Sequence, residues 1–185
     1  MKRGIAMAHI YIALVDTPGI FAAVIRSFLK QRYVHVVLSV DAGLLEAYSV
    51  GRRNPAVPFL AGFEREEKEH ILRVFPGAFY RICELSCTEE QKRHIMEQLR
   101  ADYGRRYRIH YAVPGLPFLA MGQAFYIKNQ YTCSSYAAKI LEENGIRITD
   151  KHFSLVTPKD FYKYDGMRVV FEGPLSDLVP EIAYG

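Results

Sequence analysis

The chain is expected to fold as an α+β domain, an antiparallel sheet packed with helices, on three observations. Short apolar runs of strand character alternate with stripes of helical period. One pair of such runs is separated by a tight turn, which reads as a hairpin and hence as antiparallel pairing. No internal repeat and no linker interrupts the pattern, so residues 1–185 read as one domain. Half of the residues are hydrophobic and 24% are charged, the balance of a globular chain whose core needs no disulfide staples.

The elements follow in order. A first strand runs roughly from His9 to Val15 and stops at Thr17-Pro18, where threonine can cap a helix and proline can occupy its first turn. Ile20, Phe21, Val24, Ile25, Phe28 and Leu29 then recur at helical spacing. "YVHVVLSVD" is a strand, "AG" a turn and "LLEAYSV" the returning strand, while "GRRNPAVPFLAG", with its prolines and glycines, is loop. "FYRICELSC" is a further strand, and Thr88 with Gln91 forms a capping box for a helix carrying Ile95, Leu99 and Tyr103, closed by Gly104. The stretch from Arg105 to Gln130 mixes strand-like "RYRIHYAV" with "PGLP" and has no single reading. A helix beginning near Thr132 presents Ala137, Ile140 and Leu141 on one face and ends at Asn144-Gly145; "MRVVFEG" is a late strand.

Composition narrows the function classes. The net charge is +4 and the pI about 8.9. The dense basic points are Arg52 and Arg53, then Arg105, Arg106 and Arg108. No lysine-rich arm, zinc-finger spacing or RNA-binding aromatic signature goes with them, so they read as a solvated face and no nucleic acid is expected. "GIAMAHIYIALV", after Lys2 and Arg3, reads as a buried strand and not as an export signal, and no stretch is long and apolar enough to span a membrane. The three cysteines include no CxxC pair, which argues against a disulfide framework and for a reducing, cytoplasmic setting. Cys83 and Cys87 share a strand face with Leu85, and with His94 they lack a fourth ligand, so neither a metal nor another cofactor is expected.

Cys133 carries the chemistry. It stands in the first turn of its helix, where unpaired N–H groups and the positive end of the helix dipole favour a thiolate. The same N–H groups can hold a tetrahedral oxyanion. Burial as a small hydrophobe is the rival account. Among the six histidines, His70, His94 and His152 lie in charged or polar stretches. His35 opens an apolar strand, where it is either a satisfied core residue or the base that a thiol nucleophile requires.

"HVVLSVD", a short turn, "LLEAYS" and, far downstream, "YTCSSYAAKILEENGI" together resemble the circularly permuted branch of the NlpC superfamily. These are papain-like cysteine hydrolases, including the YiiX-like group, in which histidine precedes cysteine in the chain. The likeness extends over most of the sequence, but its sharp part is two short motifs, "HVVLSVD" and "TCSSYAAKIL". It implies a papain-like fold, Cys133 as nucleophile, His35 as general base and then acid, and Glu46 as the residue that orients the imidazole. By hairpin geometry alone, a two-residue Ala42-Gly43 turn sets Tyr48 nearer His35, and a shift of one residue sets Ser49 there instead. The resemblance also suggests Tyr131 as an oxyanion donor, with packing an equal alternative, and "SS" in place of Ser-Gly after the cysteine implies a narrowed groove. The implied activity is hydrolysis of an amide or ester in a small peptide or acyl substrate. A silent binding module and a lipid acyltransferase or thioesterase are the alternatives.

Overall fold

The structure, a computed structural model, describes residues 7–18, 22–23, 26–27, 30–52 and 61–179. It is α+β: among the described residues, eight strands form one mixed sheet in the order β7-β6-β4-β3-β2-β1-β5-β8. The strands are β1 (Met7–Asp16), β2 (His35–Ser39), β3 (Ala47–Arg52), β4 (Ala61–Glu66), β5 (Phe79–Thr88), β6 (His110–Tyr111), β7 (Gln130–Tyr131) and β8 (Met167–Pro174). The helices are α1 (Lys68–Val74), α2 (Glu89–Gly104), α3 (Leu116–Ala120), α4 (Cys133–Glu143) and α5 (Pro158–Lys163). The expected all-antiparallel sheet is corrected at one edge, where β6 and β7 run parallel. A two-residue pairing of this kind needs a crossover, and the chain supplies one in residues 112–129, with α3 inside it.

Both faces of the sheet are covered, which explains why β1 is apolar almost throughout. Ile10, Ile12 and Leu14 join one core with Leu99 of α2 and Ile140 of α4, whereas Ala13 and Val15 join another with Tyr80 and Leu175. Alternation within a strand therefore sorts residues between two cores and not between core and water. Thr88 caps α2 as the capping box requires, accepting from Gln91 N at 3.1 Å while Gln91 Oε1 accepts from Thr88 N at 2.9 Å. Cys83, Leu85 and Cys87 are all buried, at alternate positions of β5. The apolar stripe from Ile20 to Leu29 and the loop residue Arg53 lie outside the described residues.

An aromatic chain locks the central strands to the helices. Tyr48 of β3 stacks on Phe63 of β4 with centroids 5.6 Å apart, Phe63 meets Tyr136 of α4 at 4.7 Å, and Tyr48 meets Tyr103 of α2 at 5.8 Å. Contacts of this type add to the area that aromatic rings bury. They fix the start of α4 against β3 and β4, and so they position the site.

Candidate active site

His35 is the first residue of β2, and its neighbours follow from strand register. β2 pairs with β3 through Leu38↔Tyr48 and Ser39↔Ala47. Continued by two and four residues, this register sets Ser49 beside Val37 and Gly51 beside His35. A Cβ built on Gly51 would stand 3.2 Å from His35 Cε1. On the next strand Ser49 faces Glu64 and Ala47 faces Glu66, so His35, Ser49 and Glu66 project from one face of three neighbouring strands. His35 Nε2 lies 2.8 Å from Glu66 Oε1 and 3.1 Å from Ser49 Oγ, and the Ser49 hydroxyl donates to the same Glu66 oxygen.

That geometry assigns the imidazole nitrogens. An ionised carboxylate only accepts, so Nε2 carries the hydrogen facing Glu66, and Nδ1 is the nitrogen that Glu66 and Ser49 do not engage. Burial tends to raise the Glu66 pKa, but hydrogen bonds from His35 and Ser49 hold it below the usual carboxylate range.

Cys133 is the first residue of α4. Thr132 caps the helix: its Oγ1 accepts from Ser135 N at 3.1 Å, and Ser135 Oγ accepts from Thr132 N at 2.8 Å. Cys133 and His35 line the same cleft, with the backbone N–H groups of Val36 and Ser134 near enough to the sulfur to favour its charged form. Burial pushes the thiol pKa up, but the His35 charge and these donors reverse the shift and hold it below its ordinary value. For His35, burial pushes the pKa down, and the Cys133 sulfur together with Glu66 raises it instead to about 10. The two directions agree on a thiolate–imidazolium pair, in which each charge is the largest support of the other.

The pair opens on a cleft of about 520 Å³ that also reaches Ser49, Glu66, His70, Ile71 and Tyr80. Cys133 is 7% exposed. No group of three or more His, Cys, Asp or Glu among the described residues is arranged to hold a metal ion.

Glu46 is not in this cluster, which corrects its expected orienting role. Arg100 holds its carboxylate by two bonds of 2.8 Å, and Tyr48 Oη donates to it at 3.0 Å. The Arg100 guanidinium keeps the Glu46 carboxyl below the usual range. The reason lies in the pairing of the hairpin: Ala47 stands opposite Ser39, so Glu46 falls at the turn end of β3, far along the strand from the position opposite His35, and the turn itself is longer than Ala42-Gly43. Asp41 Oδ1 and Oδ2 accept from Leu45 N and Glu46 N, each at 2.9 Å, and Leu44 takes a φ of 57°. β3 thus begins only at Ala47, and the shifted register brings Ser49, not Tyr48, to the imidazole.

Tyr131 is also placed elsewhere. Its hydroxyl meets Tyr126 Oη at 2.8 Å, and the residue borders a second cleft rather than the one at the sulfur. Ser134 and Ser135 do not narrow the groove as expected: Ser134 Oγ donates to Val156 O at 2.7 Å, and Ser135 Oγ belongs to the helix cap. Glu66 went unseen in the sequence because "EREEKEH" reads as a solvated charged helix. The available signal was the alternation in "AGFERE", whose Phe63 is fully buried.

Compared with known proteins, the chain matches no family model, no curated protein and no solved structure.

Proposed function

We propose that the protein is a cysteine hydrolase that cleaves an amide or ester bond through a thioester on Cys133. One observation carries this reading: Cys133 and His35 line one cleft and each favours the charged form of the other, while His35 Nε2 is anchored on Glu66 at 2.8 Å. Nucleophile, base and orienting acid then stand in the order that covalent thiol catalysis uses. The Cys133 thiolate attacks the substrate carbonyl carbon. The resulting oxyanion is held by the N–H of Cys133, a first-turn donor with no partner inside the helix. His35 Nδ1–H protonates the departing amine or alcohol. His35 then takes a proton from water, whose oxygen displaces the thiol and releases the acid.

The permuted NlpC-type, papain-like arrangement is the proposed frame. It is supported by the order of β2 with its histidine well before α4 with its cysteine. The reading places the enzyme in a reducing setting, the cytoplasm, in keeping with three free thiols, and takes a small peptide, amide or acyl compound as substrate.

Activated p-nitrophenyl esters and iodoacetamide test it together. Mass spectrometry is expected to find the acyl group on Cys133, and His35→Ala is expected to slow acylation by about 100-fold or more. Iodoacetamide at neutral pH is expected to modify Cys133 well before Cys83 and Cys87, whose thiols burial pushes up. No acylation, with three thiols alkylated equally slowly, refutes the reading and leaves a binding module on the same scaffold.

A further inference from the structure

From Tyr103 to Leu141 the chain has no Asp or Glu but carries Arg105, Arg106, Arg108, Lys128 and Lys139. The middle of this span is the excursion between β6 and β7, and no residue from 110 to 130 is buried. Its side chains are nonetheless largely apolar. Phe118 stacks on Phe125 with centroids 4.2 Å apart, whereas Val113, Met121 and Ile127 remain 54%, 61% and 38% exposed. Exposed apolar groups gathered in one segment mark an interaction surface.

The second cleft, about 360 Å³, lies at the foot of this excursion and is bordered by Arg105, Arg108, Lys128 and Lys139. Its two carboxylates are already engaged. Asp102 accepts from Arg105 Nη2 at 2.6 Å and from Tyr136 Oη at 2.7 Å, and Glu143 is paired with Lys139. Arg108 and Lys128 have no carboxylate partner among the described residues. A recess with four cationic residues against two paired carboxylates, reached through Lys128 from a segment of exposed apolar side chains that holds no acid, matches a surface whose phosphates lie just outside hydrocarbon.

We propose that this face docks on an anionic lipid bilayer. Val113, Met121 and Ile127 enter the boundary between headgroups and acyl chains, and a lipid phosphate sits between Arg108 and Lys128. The attachment is peripheral, since no helix among the described residues is long and apolar enough to cross a membrane. It does not depend on the chemistry assigned to Cys133.

Co-sedimentation of the full chain with vesicles tests this. Binding is expected to equimolar phosphatidylcholine and phosphatidylglycerol and not to phosphatidylcholine alone, and to weaken as salt shortens the Debye length from ~10 Å to ~3 Å. Arg108→Gln and Lys128→Gln are each expected to weaken it about fivefold. Met121→Asp with Ile127→Asp, at exposed positions, is expected to abolish pelleting while circular dichroism and melting stay as in the parent chain. Equal pelleting with both lipids, or no pelleting at all, overturns the proposal. So does binding that survives the Met121→Asp and Ile127→Asp change, because charge alone would then account for it. Sedimentation velocity without lipid supplies the last arm: self-association lost in that variant, with no vesicle binding by the parent, makes the face a protein contact instead.

Discussion

Glu66→Gln should lower the pKa of His35 by about one to two units without dismantling the site. Glu66 Oε1 lies 2.8 Å from Nε2, with the two side chains only 17% and 24% exposed. At an effective dielectric near 20, unit charges about 4 Å apart attract by about 4 kcal/mol. Part of that is spent on desolvating the carboxylate, and hydrogen bonds to charged groups are worth about 1.5–3 kcal/mol net. Glutamine keeps an oxygen that can accept from Nε2–H, so the substitution removes charge and largely preserves geometry. Divided by 1.36 kcal/mol per unit, the loss comes to about one to two units. The sign follows from the charge: the anion favours imidazolium, so its removal lets the ring deprotonate at lower pH. Its neighbours push the His35 pKa up to about 10, and the variant is expected to fall below the parent by about one to two units. The Cε1–H resonance of His35, followed by NMR against pH, reports the value directly. A midpoint within about 0.3 unit of the parent would refute the Glu66–His35 pairing as a support of the charged ring beside Cys133.

Three further outcomes follow from neighbouring contacts. Gly51→Ala puts a methyl group 3.2 Å from His35 Cε1; it is expected to slow iodoacetamide modification of Cys133 and to destabilise the fold by about 1–3 kcal/mol, read by denaturant titration. Thr132→Ala deletes the cap that accepts from Ser135 N and is expected to cost about 1 kcal/mol, a fall in Tm of about 2–4 °C by calorimetry. Glu46→Gln breaks a pair with an Arg100 side chain that is 55% exposed. Its expected cost is no more than about 1 kcal/mol, and Cys133 alkylation is expected to keep the parent rate.

How far the sequence could be read depended on whether a local rule decided the point. Thr88 with Gln91 and Thr132 before Cys133 were legible because capping uses residues three positions apart or fewer, and both helices start where those residues stand. The strands β1, β2, β5 and β8 were legible from apolar runs. The hairpin register was not. It hinges on the Asp41 carboxylate binding two backbone N–H groups and on a positive φ at Leu44, and a one-residue error there exchanges Tyr48 for Ser49. β4 was missed because its outward residues are charged and run without a break into α1. Glu66, the acid that meets His35, sits at that junction.

The position of the three polar groups within their elements is itself informative. His35 opens β2, Glu66 closes β4 and Cys133 opens α4, so each stands at an end of its element, with Cys133 at the margin of the larger core. An element end is where a polar side chain can reach a cleft while the remainder of the element holds it still. The holding is visible within three residues: Val36 and Val37 are buried after His35, Ser134, Ser135 and Tyr136 after Cys133, and Phe63 ahead of Glu66. Phe63 also touches both Tyr48 and Tyr136, tying the strand of the acid to the strand of Ser49 and to the helix of the thiol. A buried ion pair is stable only while its partners keep their geometry, so the aromatic chain, by holding the strands and the helix together, bears on the thiolate beside the charges that favour it. Loosening Phe63 would first blunt the selectivity of Cys133 over Cys83 and Cys87, before the sheet itself came apart.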